Sequence, residues 1–66
     1  MDTKKFGENL RRIRKQKNLK ICELAVMADM SKEWIGVLES GTKKPRPETL
    51  GKLVSVLGCA MEDLVD

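Results

Sequence analysis

The chain has 66 residues, of which 41% are hydrophobic and 35% charged, with a formal net charge of +3. A chain this short buries only about 60% of the surface its unfolded form exposes, so it has room for one compact core and one domain, residues 1–66. No apolar run approaches the roughly 20 residues of a membrane span, and no signal-peptide core opens the chain. Histidine and any CxxC pair are missing, which removes the usual zinc sites and disulfide frameworks. Cys22 and Cys59 are expected to be two reduced, largely buried thiols of a cytoplasmic protein. No alternating apolar–polar run rich in β-branched residues predicts a strand, so the fold class is all-α.

The first helix is expected from about Thr3 to Lys17. Phe6, Leu10 and Ile13 form its i, i+4, i+7 apolar stripe, and Arg14 lies beside that stripe. Asn18 suits a left-handed cap, with Leu19 as the apolar residue that follows it. The second helix begins near Lys20 or Ile21, although Lys20 is a poor N-cap. Leu24, Ala25 and Ala28 form its apolar edge. Asp29–Met30 then breaks the pattern, and Asp accepts a left-handed backbone better than most residues.

Ser31 is a good N-cap for a third helix, from Lys32 to about Ser40. At 100° per residue, Ser31, Ile35 and Leu38 share its inner face. Lys32, Glu33, Gly36, Val37 and Ser40 share the outer one, with Trp34 and Glu39 at the borders. Trp34 is expected to be partly buried. Gly36 costs about 1 kcal/mol of helix propensity relative to Ala. It either allows close approach of another surface or is neutral. Gly41 ends the helix. Two short helices joined by so tight a turn form a helix-turn-helix.

Pro45 and Pro47 stiffen the loop GTKKPRP, and Pro47 fits the first position of a fourth helix. Leu50, Leu53, Val54 and Leu57 lie on one face of that helix, and Gly58 ends it. A short fifth helix, about Met61 to Val65, returns Met61 and Leu64 to the core.

Charge is unevenly distributed. Residues 1–20 carry a net +6 and residues 43–46 a net +3, whereas residues 21–42 and 47–66 each carry −3. Two basic blocks therefore flank the helix-turn-helix, as they do in binders of polyanions.

The ordered set L10-R-R-I-R14, L24-A25, S31-x-x-x-I35-x-x-L38-E39-S-G41, P47-x-x-L50 and L57-G58-x-x-x-x-x-L64 resembles the phage repressor/Cro-type helix-turn-helix family, also called XRE. The resemblance covers nearly the whole chain. It implies a compact five-helix, lambda-repressor-like DNA-binding domain with its helix-turn-helix at helices two and three. It implies a homodimer on a near-palindromic operator in double-stranded DNA, and transcriptional control. Carried over by position, Lys32, Glu33, Gly36 and Val37 fall where family members reach base edges. Lys20, Ile21, Ser40, Lys43, Lys44 and Arg46 fall where they touch phosphates. Arg14 and Glu39 fall where the family has an ion pair between helices one and three. The chain departs from the family where Gln often opens helix two (here Ile21), where Gly often stands in the turn (here Asp29), and where Ser is common (here Gly36 and Ala60).

Val56, Met61 and Val65 are apolar residues that the fourth helix's stripe does not fully use, and they are the expected dimer contacts. No cofactor, membrane contact or small-molecule effector is expected. An enzyme is disfavoured, because the sequence holds no phosphate-cradling glycine loop and no nucleophile–base pair. The alternative reading is a protein-interaction module on the same fold, antitoxin-like or anti-repressor-binding.

Overall fold

The structure, a computed structural model, describes residues 1–65 as five α-helices: α1 (Thr3–Gln16), α2 (Ile21–Met27), α3 (Lys32–Ser40), α4 (Pro47–Leu57) and α5 (Met61–Val65). Among the described residues there is no strand. No helix is long and apolar enough to cross a membrane.

Local chemistry sets the helix ends. The Asp2 carboxylate accepts from the amides of Lys4 and Lys5 at 3.0 and 3.1 Å and opens α1. At the other end Asn18 takes φ 59°, the Leu19 amide donates to Arg14 O, and the Asn18 amide donates to Lys15 O. This crossed pair satisfies carbonyls that the last helical turn leaves free. The same pair closes α2, where Asp29 takes φ 56° and the amides of Met30 and Asp29 bond Ala25 O and Val26 O. Lys20 offers α2 no capping oxygen. Glu23 compensates from inside the helix, accepting from the Lys20 amide at 2.7 Å.

The core joins all five helices. Phe6, Leu10, Leu24, Ile35, Leu38, Leu53 and Leu64 have no exposed surface. Burial of each such side chain contributes about 1.5–3 kcal/mol before chain entropy is counted. α1 packs on α3 and α5, α2 on α3, and α4 on α5. The α1–α3 contact is made at backbone distance. A Cβ on Gly7 would lie 2.6 Å from the carbonyl oxygens of both Leu38 and Glu39. The α1–α5 contact carries a buried polar anchor, in which Asn9 Nδ2 donates to Leu64 O at 2.9 Å and Arg12 Nη2 donates to Asn9 Oδ1 at 3.0 Å.

Three expectations need correction. Cys22 is exposed rather than buried, because the inward edge of α2 is already occupied by Leu24, Ala25 and Ala28. Only Cys59 is partly sheltered, and burial together with nearby Asp63 pushes its thiol above the ordinary range. Met61 does not return to the core: it is 41% exposed, whereas Leu64, three residues on, is fully buried. A five-residue helix turns one residue of that pair fully inward and leaves the first at its open end. Ser31 is exposed and not inward, since its hydroxyl turns back to cap α3.

Candidate nucleic-acid interface

The site is built outward from α3. Ser31 Oγ accepts from the Trp34 amide at 3.1 Å and fixes the first turn. Lys32 and Glu33 therefore occupy the first two helical positions, and both side chains are exposed. An acid there also sits favourably at the positive end of the helix dipole. Gly36 and Val37 follow one turn later, half-buried. A Cβ added at Gly36 would meet nothing within 4 Å, so the fold itself gives no reason for a glycine there.

Besides its core packing, α3 is tied to α1 by one ion pair. Arg14 Nε lies 2.6 Å from Glu39 Oε2 and Arg14 Nη2 lies 3.2 Å from Oε1, so the guanidinium grips both carboxylate oxygens. Its Nη1 donates to Leu19 O at 2.7 Å. Arg14 is 7% exposed. One residue thus ties α3, the end of α1 and the entrance to α2 together. The pairing of charge with charge, each hydrogen-bonded, is what allows an arginine in this position.

Basic residues stand in the segments that precede and follow the α2–α3 unit. Lys20 is exposed just ahead of α2. At the other end of the unit, Gly41 takes φ 78° and ends α3, and a Cβ there would stand 2.7 Å from the Lys4 Cα. Only glycine satisfies both conditions. In the loop that follows, Pro45 is buried while Lys43, Lys44 and Arg46 stay exposed, so the proline pins the loop and its neighbours project. Arg46 also lines a shallow groove with Met30, Ser31, Trp34 and Thr49 at the start of α3. Trp34 is half-buried.

Two of the sequence-assigned phosphate positions lack a free side-chain donor. Ile21 is apolar and packs against the core. The Ser40 hydroxyl donates to Val37 O at 2.6 Å and lies 2.9 Å from Thr42 Oγ1. Of the six assigned phosphate positions, the four that carry a cation are Lys20, Lys43, Lys44 and Arg46, all exposed. The remaining assigned residues lie on α4 and α5. Val56 and Val65 are half-buried against the core and Met61 is exposed. Among the described residues no group of three or more Cys, Asp or Glu side chains is placed to hold a metal.

Three features of the frame escape a reading by periodicity: Gly7 at the α1–α3 contact, Asn9 at α5, and the buried Pro45. Gly7 carried a signal, a helix-interior glycine, but so did Gly36.

Residues 10–64 match the helix-turn-helix family. The chain is 36% identical over 61 residues to RghRB of Bacillus subtilis, an uncharacterized HTH-type transcriptional regulator, covering 91% of this chain and 44% of that protein. It is 34% identical over 62 residues to the HTH-type transcriptional regulator DdrOP3 of Deinococcus deserti, covering 94% and 48%. It therefore spans less than half the length of the curated relatives it matches. In three dimensions it is similar to the restriction-modification controller protein C.AhdI from Aeromonas hydrophila, with a TM-score of 0.90 and 28% identity over 96% of both chains. Five helices around one ion-paired helix-turn-helix, a family match over most of the chain and relatives named as transcriptional regulators lead to one conclusion: this chain belongs to the helix-turn-helix family of XRE type.

Proposed function

We propose that this chain binds double-stranded DNA sequence-specifically, with α3 in the major groove, and that it acts as a homodimer on a near-palindromic operator to control transcription. Residues 1–66 act as one DNA-binding unit in the cytoplasm. The observation that carries this reading is the outer side of α3, tied to α1 by the Arg14–Glu39 pair, with exposed Lys20 in the segment ahead of the helix-turn-helix and exposed Lys43, Lys44 and Arg46 in the segment after it. Cations on both sides of a groove-facing helix meet the phosphates that line the groove, while the helix reaches the bases. Within α3, Lys32 donates to guanine O6 or N7, Glu33 accepts from cytosine N4 and Val37 rests on a thymine methyl. Gly36 lets the backbone come close. Val56, Met61 and Val65 supply the two-fold contact.

Selection on randomised duplexes tests the reading. Enrichment of an inverted repeat supports it. Enrichment of a single half-site bound 1:1 overturns the dimer, and recovery without any motif overturns sequence-specific binding. That last outcome favours the second reading, a protein-interaction module. The exposed apolar side chains of α2 support that alternative: Val26 is 81% exposed and Met27 lies beside it.

Two substitutions separate readout from grip. Lys32→Ala is expected to cost about 1–3 kcal/mol on the selected site and to relax the preference at one base position. A uniform loss with the motif intact makes Lys32 a phosphate contact instead. Lys44→Ala is expected to weaken selected and random duplexes alike and to reduce the slope of log affinity against log salt by about 1. An unchanged slope in a fluorescence-anisotropy titration removes Lys44 from the interface.

A further inference from the structure

A cleft lies on the flank of α3, between α1 and the start of α2, lined by Arg11, Arg14, Ile21, Gly36, Glu39 and Ser40. Its charge is decided by one residue. Both Glu39 oxygens are taken by Arg14, so those two charges cancel on the cleft floor. Ile21 is apolar and the Ser40 proton goes to Val37 O. Arg11 is exposed and, among the described residues, makes no side-chain hydrogen bond or salt bridge. Gly36 contributes no side chain, and the space where its Cβ would stand is open. The neighbouring Arg12 points elsewhere: it bonds Asn9 and lines the α1–α5 side with Cys59 and Asp63. Two adjacent arginines on one helix thus differ in what they face, and only Arg11 faces the outward side of α3.

We propose that Arg11 grips a backbone phosphate of bound duplex DNA from this cleft. The inference rests on the reading of α3 as the groove-facing helix and adds to it a contact from α1. The guanidinium is matched to the task, because its planar fork gives a phosphate two parallel N–H donors and stays charged at any working pH. An unpaired cation over a charge-neutral floor attracts an anion without a competing carboxylate. A phosphate here also lies next to the open backbone at Gly36, so the contact holds α3 at a fixed depth and leaves base preference alone.

The test compares Arg11→Gln with Lys52→Gln, which removes the same charge from an exposed position on α4. Arg11→Lys serves as the conservative variant. Affinity for one random-sequence duplex is titrated between 50 and 200 mM salt, and folding is checked by circular dichroism. For Arg11→Gln the salt slope is expected to fall by about 0.9 for each phosphate that Arg11 neutralises, while Lys52→Gln keeps the wild-type slope. Across that salt range the wild-type loss of affinity then shrinks about three- to fourfold per phosphate. Arg11→Lys is expected to keep most of the slope. Equal slopes for Arg11→Gln, Lys52→Gln and the wild type overturn the Arg11 assignment and leave the groove-facing reading standing. A wild-type chain that fails to bind duplex at any salt concentration overturns both.

Discussion

Arg14→Ala is expected to lower folding stability by about 3–5 kcal/mol, because it strands the Glu39 carboxylate in a nearly dry position. The Arg14 and Glu39 side chains are 9% and 7% exposed, so neither can simply turn to water. Glu39→Ala strands the guanidinium in the same way, although its bond to Leu19 O survives and softens the loss. Small domains are stable by about 5–15 kcal/mol in all, and this one belongs near the lower end of that range. Each kcal/mol moves Tm by about 4–8 °C at this size, so Arg14→Ala is expected to melt more than about 12 °C below the wild type, with a smaller drop for Glu39→Ala. A double replacement by apolar residues of similar volume, Arg14→Met with Glu39→Leu, is expected to lose less than either single variant, since no charge is left buried. Urea unfolding followed by circular dichroism measures all three. If both single variants keep the wild-type midpoint, the pair contributes nothing to stability, and the position of α3 depends on apolar packing alone.

The second large effect is expected at Gly7, and its sign runs against helix propensity. Glycine inside a helix is worth roughly 0.5–1 kcal/mol less than alanine, so Gly7→Ala ought to stabilise α1 in isolation. In the folded chain the new methyl group would sit 2.6 Å from two backbone oxygens at the end of α3. Backbone carbonyls cannot swing aside like a flexible side chain, so α1 and α3 must separate. Overpacking of this kind costs about 1–3 kcal/mol and sometimes more, which exceeds the propensity gain. Gly7→Val places still more carbon against the same oxygens and is expected to leave little folded protein. Gly36→Ala supplies the opposite case: with nothing within 4 Å, it is expected to raise stability by about 0.5–1 kcal/mol. Thermal melts of the two alanine variants therefore move in opposite directions. A Gly7→Ala chain that melts at or above the wild type refutes the close helix contact.

These two glycines show where reading from sequence runs out. Both lie in helix interiors, and nothing local distinguishes them. What separates them is the crossing of α1 over α3, some thirty residues away along the chain. Asn9 is a similar case: its partner is a carbonyl 55 residues away, so a polar side chain on the buried face of α1 has no visible explanation until α5 is in place. Cys22 and Met61 depart from expectation for a related reason. Apolar character says that a side chain can be buried, but on α2 and α5 the available inward space is filled by Leu24, Ala25, Ala28 and Leu64.

By itself the sequence determined the five helices, their order and most of their ends, because period, caps and left-handed residues act within a few positions of one another. Ser31 and Asp29 mark the turn between α2 and α3 through bonds and backbone angles that involve only near neighbours. It also placed Lys32, Glu33, Gly36 and Val37 together on one side of α3 and set basic blocks on either side. Only the tertiary structure decided how those parts meet: Gly7 against the α3 carbonyls, Arg14 clamped to Glu39 with both oxygens engaged, Pro45 buried so that its basic neighbours project, and Arg11 rather than Arg12 turned toward α3. The physical reason is range. Helix propensity and capping are settled over three or four residues, whereas burial, ion pairing and close backbone approach depend on segments that folding alone brings together.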